Sequence, residues 1–194
     1  MDMKDLIRHL LEKTAARYIS SGPVKTSWQE PLVGYAGATD PLFRHLKQVA
    51  HPGHLLPSDL LEGAKTVVAY FLPFTKSIVK SNIEGERPSR QWADAYLETN
   101  ELIMHINADI TAFLGSRGYR TCTVPPTHNF DPITLTSTWS HRHVAYIAGL
   151  GTFGLNRMLI TERGCCGRLG SLVTDLEITP VKRIEGEYCL HFHD

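Results

Sequence analysis

Met3, Leu6, Ile7, Leu10, Leu11 and Tyr18 recur at the i, i+3, i+4 spacing of one helix face, the pattern of a helix that buries a single stripe. Asp2 stands at its N-cap, and Ser20-Ser21-Gly22-Pro23 ends it. Asp40-Pro41 pairs a cap with a proline at the first helical position, opening a second helix with Leu42, Phe43, Leu46 and Val49 inward. His51-Pro52-Gly53 stops that helix, and Ser58 caps a short turn through Leu61. Thr66 to Phe74 is an unbroken apolar, β-prone run, as expected of a strand buried on both faces. Residues 76–88 show no period and read as a mobile loop.

Ser89 caps the longest helix, which runs to about Leu114, with Gly115 just past its end. Its inward stripe is Trp92, Tyr96, Thr99, Ile103, Ile106, Ile110 and Phe113. Tyr119 to Val124 reads as a strand that stops at Pro125-Pro126. Residues 127–138 form a polar loop carrying His128 and Asp131, the kind of segment that faces ligands. Ser140 caps another helix, which Gly149 stops. Met158 to Thr161 and Leu169 to Ile178 read as strands, expected to pair antiparallel around Glu162 to Gly167. The whole pattern predicts an α+β fold in three layers, a mixed sheet flanked by helices, with residues 1–194 as a single domain.

Composition narrows the function classes. Lys+Arg and Asp+Glu number 20 each, so the net charge is zero, which argues against a nucleic-acid-binding surface. No run reaches the length of a membrane span, and the N-terminus lacks the pattern of a secretory signal, so a cytoplasmic location is expected. Four cysteines, Cys122, Cys165, Cys166 and Cys189, do not make a disulfide scaffold in a chain this long.

The candidate chemistry gathers between Trp139 and Thr161. GLGTFG (Gly149 to Gly154) fits the dinucleotide expression, but it follows a helix and precedes a strand, the reverse of the order that brings a pyrophosphate to a helix N-terminus. The bland reading is that these glycines let a helix pack closely on a sheet. His141 and His143 point about 200° apart on a helix, so they make a poor metal pair. Cys165-Cys166 is no metal knuckle; it reads as a turn beside a cofactor cavity or as packed thiols. Trp139, Arg142 and Tyr146 share a helix face, either as packing or as an aromatic wall with a cation for a large, partly anionic ligand.

The stretch SHRHVAYIAGLGTFGLNRMLIT, followed by CCGRLGSLVTDLEITP, resembles the corrinoid- and iron–sulfur-dependent epoxyqueuosine reductase family. The likeness is collinear over roughly residues 60 to 180 and includes Ala148-Gly149-Leu150-Gly151 and Gly170 through Thr174-Asp175-Leu176 to Pro180. It implies a nitroreductase-like domain that binds cobalamin across one face, relatedness to reductive dehalogenases, and a following ferredoxin-like module whose 4Fe-4S clusters feed electrons to cobalt. It also implies that Trp139, Arg142, Gly149, Leu150, Gly151, Thr152, Phe153, Gly154 and Asn156 line the corrin, with Gly151→Val abolishing binding and sparing the fold. The cluster ligands are missing from the sequence, which leaves three readings: a truncated product, electrons from a ferredoxin-type partner, or lost redox activity. The family's proton-donor setting is replaced by Val124-Pro125-Pro126-Thr127, leaving His128, Asp131 and His141 as candidate donors. With the neutral charge, this points to a small-molecule substrate rather than tRNA. Two other readings stand beside it: an FMN enzyme of the same fold using Arg90 and Arg142 for the phosphate, and a non-catalytic cobalamin carrier or remnant domain.

Overall fold

A computed structural model describes residues 2–126 and 130–190. In chain order the elements are α1 (Met3–Ser20), β1 (Leu32–Gly37), α2 (Pro41–Val49), α3 (Pro57–Leu60), β2 (Thr66–Pro73), α4 (Lys76–Ser81), α5 (Arg90–Gly115), β3 (Thr121–Thr123), α6 (His141–Ile147), β4 (Gly151–Phe153), β5 (Leu159–Thr161) and β6 (Gly167–Thr174). The fold is α+β. Its main sheet has the order β1-β2-β6-β3, and every neighbouring pair is antiparallel, so the expected mixed sheet is corrected.

β2 sits at the centre and is buried along its whole length, as its apolar run requires. Its alternation divides the core. Val68, Tyr70 and Leu72 pack with Ile7 and Leu11 of α1 and with Leu102, Ile103, Ile106 and Ile110 of α5. Val67, Ala69 and Phe71 pack on the other face with Phe43 and Leu46 of α2 and with Val144, Ala145 and Ile147 of α6. Each face buries one set of a period-two strand.

The caps behave as their residue types dictate. Asp2 forms a capping box with Asp5, Asp40 accepts from the Leu42 amide, and Ser89 accepts from the Trp92 amide. Other expectations are corrected. The short helix α3 starts at Pro57, with Asp59 accepting from the Leu56 amide, so Ser58 lies inside it rather than capping it. Val49 is 56% exposed because α2 leaves the core after Leu46. Residues 76–88 contain α4, which buries only Ile78, too little to show a period. Gly115 is the last residue of α5 rather than a residue beyond it.

The predicted pairing of Met158–Thr161 with Leu169–Ile178 does not form. β5 pairs instead with β4, the glycine stretch itself, while β6 spends its full length on β2 and its last residues on β3. β1 carries no strand signal because Gly34 and Gly37 interrupt it. Its glycine is a packing requirement: a Cβ on Gly34 would stand 2.3 Å from the Ala148 carbonyl oxygen, so α6 meets the sheet backbone to backbone. No helix among the described residues is long and apolar enough to cross a membrane.

Candidate functional site

Two clefts meet along the start of α6 and share Ser137, Ser140 and Arg142. The smaller, about 350 Å³, is lined by His141, Arg168 and Cys165 and by an apolar wall that includes Phe71, Trp139, Leu159 and Leu169. The larger, about 670 Å³, is lined by Leu135, His143, Phe153, Gly154 and Arg157 among others. β3 pairs only with Leu172–Thr174, so, among the described residues, positions 167–171 of β6 have β2 on one side and no strand on the other. The smaller cleft opens along that uncovered edge.

A hydrogen-bonded chain sets the chemistry of His141. The Trp139 indole Nε1–H donates to Ser171 Oγ at 3.0 Å. The Ser171 hydroxyl is 2.8 Å from His141 Nδ1, and His141 Nε2 is 3.2 Å from the Pro125 carbonyl oxygen. A carbonyl only accepts, so Nε2 carries the proton and Nδ1 accepts from Ser171. Burial, helped by the positive charge of Arg168, pulls His141 down to about 4. His141 is therefore a neutral imidazole with both nitrogens engaged.

His54, read from sequence as a loop residue, and Arg168 are residues that sequence reasoning missed. His54 is 0% exposed and packs 5.7 Å from the Trp139 ring. Its Nδ1–H donates to the Leu55 carbonyl oxygen at 2.8 Å, and its Nε2 accepts the Ser140 amide at 3.1 Å. It thus holds the residue that starts α6, and burial keeps it neutral. Its flanking Pro52-Gly53 signalled a turn and gave no sign that the next residue would be buried.

The other predicted positions separate. Arg142 donates to the Arg157 carbonyl oxygen at 2.9 Å and stands at the junction of the clefts. His143, with Ser140 Oγ 2.8 Å from its Nδ1, lies 5.0 Å from the Phe153 ring, and Tyr146 lies 5.6 Å from the same ring. Phe153 and Gly154 line the larger cleft. Trp139 is a core residue, 2% exposed and stacked on Phe43, that reaches the smaller cleft with one edge. Gly149, Leu150, Gly151, Thr152 and Asn156 line neither cleft. Gly149 adopts φ +79° and packs under the Lys182 carbonyl, while Thr152 Oγ1 accepts the Tyr188 amide, so the C-terminal segment covers this stretch. Asn156 accepts the Met158 amide in a turn.

Gly151 corrects an expectation. A Cβ there would stand 2.1 Å from the Ile160 carbonyl oxygen, so Gly151→Val cannot spare the fold. Asp131 also takes a different role. Its carboxylate accepts the Thr134 and Ile133 amides and the Thr134 hydroxyl, which hold it below the usual carboxylate range. In this geometry it ties a loop, accepting hydrogen bonds as a carboxylate rather than donating a proton. His128 lies outside the described residues. Arg90 pairs with Asp94 on α5 and lines a pocket with Lys25 that shares no residue with the two clefts, so Arg90 and Arg142 do not form one phosphate site. Cys165 lines the smaller cleft; burial, followed by the neighbouring Cys165, pushes the Cys166 thiol up. Among the described residues no group of three or more His, Cys, Asp or Glu is placed to hold a metal ion.

No family model matches the sequence, and no curated protein matches it. Solved structures do share its fold. Epoxyqueuosine reductase from Streptococcus thermophilus superposes with a TM-score of 0.63 at 18% identity, over 98% of this chain and 50% of that one. An epoxyqueuosine reductase in complex with an epoxyqueuosine-modified tRNA-Tyr stem loop gives 0.55 at 20% identity, over 92% and 48%. A reductive dehalogenase described in terms of B12-dependent dehalogenation gives 0.53 at 17% identity, over 79% and 20%. The chain thus spans about half the length of the epoxyqueuosine reductase chains, and what it shares with them and with the dehalogenase is the fold.

Proposed function

We propose that this chain is the corrinoid-binding domain of a reductase, with the corrin seated on the larger cleft and a small-molecule substrate, rather than tRNA, in the smaller one. The observation that carries the reading is the pair of joined clefts on a fold shared with epoxyqueuosine reductases and a B12-dependent dehalogenase. The larger cleft falls within the range of roughly 300–1,000 Å³ usual for small-molecule and cofactor sites. Its donor set suits a corrinoid, a flat apolar ring with a rim of polar amides. Phe153 and Leu135 offer apolar surface, and Ser137, Ser140, Arg142 and Arg157 offer polar groups around it.

When bound, the corrinoid supplies a redox-active cobalt. The chain's residues supply position and polarity. Arg142, anchored on the Arg157 carbonyl, marks the border between cofactor and substrate. His141 presents a neutral ring whose Nε2 proton rests on Pro125 O; a substrate that displaces that carbonyl receives the hydrogen bond. The described residues offer no ligand set for a 4Fe-4S cluster, so the electron donor in this reading is a ferredoxin-type partner or module. The equal numbers of acidic and basic residues support a small-molecule substrate.

The test is an absorbance titration of the purified chain with hydroxocobalamin and, separately, with FMN. A saturable shift to a base-off spectrum with cobalamin, weakened by Arg142→Ala and Phe153→Ala, is the expected result. Binding of FMN without cobalamin would overturn the reading in favour of a flavin enzyme. Failure to bind either would leave a domain without a cofactor role.

A further inference from the structure

We infer that the smaller cleft is built for a small organic anion, with the acid group held by Arg142 and Arg168 and the apolar body laid against Trp139, Leu159 and Leu169. The first observation is charge. The lining contains two arginines and no Asp or Glu, and the adjoining cleft adds Arg157 and likewise no carboxylate. Among the described residues none of these three arginines enters an ion pair, although most of the ion pairs elsewhere involve arginine or lysine. Three cations that line adjoining clefts, none of them ion-paired in the salt bridges of the described residues, make the potential there positive. Their arrangement is made favourable by an anion from outside.

The second observation is how Arg168 is held. It is half-buried on β6. Its guanidinium lies 4.3 Å from the centroid of the Tyr96 ring, Nε donates to Asn100 Oδ1 at 3.0 Å, and an Nη donates to the Pro126 carbonyl oxygen at 3.3 Å. Every one of these partners is neutral. Removing a cation from water against neutral dipoles costs more than it returns unless a charge answers it. Burial accordingly pulls the Arg168 pKa down. A stacked guanidinium fixed along one edge still offers donors in a plane, the arrangement that takes a carboxylate or phosphate oxygen pair.

The third observation is the apolar part of the lining. Phe71, Trp139, Met158, Leu159 and Leu169 make part of the lining apolar, and about 350 Å³ is at the small end of the range of roughly 300–1,000 Å³ usual for small-molecule sites, room for a single ring with a substituent. The ligand class that answers cations, apolar wall and volume together is an aryl or short alkyl acid, whether carboxylate or phosphate monoester. His141, kept neutral by its burial and by the charge of Arg168, adds no competing charge. That this anion is the reductase's substrate rests on the corrinoid reading; that the cleft binds it does not.

The experiment is a thermal-shift and calorimetric titration of the purified chain with benzoate, phenyl phosphate, inorganic phosphate and benzamide. Saturable binding of benzoate, phenyl phosphate or both, with benzamide silent, is the expected result. Arg142→Gln, an exposed position, is expected to weaken that binding about tenfold, and Arg168→Gln at least as much. Arg142→Gln keeps the test decisive if Arg168→Gln fails to fold. Preference between benzoate and phenyl phosphate assigns the acid. Benzamide binding as well as benzoate, inorganic phosphate binding as well as phenyl phosphate, or no binding at all would each overturn the proposal. Hydroxocobalamin titrated into the same preparation separates the two claims. Anion binding without a cobalamin shift defeats the corrinoid reading alone, and the reverse defeats the anion site alone.

Discussion

Trp139, two residues before α6, and Ser171 on β6 join the segment entering α6 to the central sheet through one buried hydrogen bond, the indole Nε1–H on the serine hydroxyl at 3.0 Å. Both residues are essentially inaccessible to water, so neither can replace the other with solvent. Ser171→Ala leaves the indole N–H buried without an acceptor and is expected to cost about 1–3 kcal/mol, read as a lowered urea midpoint with an unchanged m-value. Trp139→Phe removes the donor as well as some packing. The double variant is expected to be less destabilised than the two single changes added together. Additive losses would show that the bond itself contributes nothing.

The neutral histidines predict a pH dependence with a definite sign. His141 has its folded pKa pulled from 6.5 to about 4, and burial lowers His54 and His143 as well. An unfolded chain takes up these protons near pH 6.5, whereas the fold resists them. The stabilisation is therefore complete above pH 6.5 and is lost as pH falls towards 4. Chemical denaturation at a series of pH values is expected to show this slope, and His141→Gln to flatten it. An imidazole resonance of His141 titrating at 6 or above would defeat the assignment.

Glycines divide into those the packing requires and those it does not. Gly34→Ala and Gly151→Ala would place a methyl 2.3 Å and 2.1 Å from backbone carbonyl oxygens, contacts that no rotamer can relieve. Each is expected to destabilise by at least the roughly 1–3 kcal/mol typical of overpacking. Gly115, at the end of α5, has open space around it, and Gly115→Ala is expected to raise stability by about 0.4–1 kcal/mol. Thermal melts of the three variants check both signs.

Much of the helical part of the fold was legible because its causes are local. Asp2, Asp40 and Ser89 cap as their side chains allow, and the burial of β2 follows from its own apolar run. Strand pairing was not legible. β5 and β6 lie a turn apart, which favours a hairpin, yet β6 matches the eight residues of β2 and wins the longer ladder. The site was legible by region but not by residue. The segment from Trp139 to Arg157 does border both clefts, while Arg168, His54 and the cover over Gly149 depend on contacts between distant parts of the chain.

Asp175 shows how a motif residue can act on the site without touching it. Its carboxylate accepts the Arg120 amide at 2.8 Å and Arg120 Nε at 2.9 Å, and the same guanidinium donates to the Glu62 carbonyl oxygen. Thr174 Oγ1 donates to the Arg120 carbonyl oxygen at 2.9 Å. These bonds clamp the three-residue strand β3 to the end of β6. The clamp matters because the chain leaving β3 carries the carbonyls of Pro125 and Pro126, which fix His141 and Arg168. Arg120 holds the Asp175 carboxyl below its ordinary value, so the clamp is present at neutral pH and weakens as acid protonates the carboxylate. Asp175→Asn is expected to raise hydrogen exchange at residues 121–123 while leaving the β1–β2 amides protected. It is also expected to let the His141 pKa rise from about 4 towards 6.5 as water reaches the ring and relieves its burial, which outweighs the loss of the Pro125 hydrogen bond that favours the protonated ring. Unchanged exchange in β3 would show that the strand is held by its ladder alone. Faster exchange with an unmoved histidine would show that the two prolyl carbonyls are placed by something other than the Arg120–Asp175 pair.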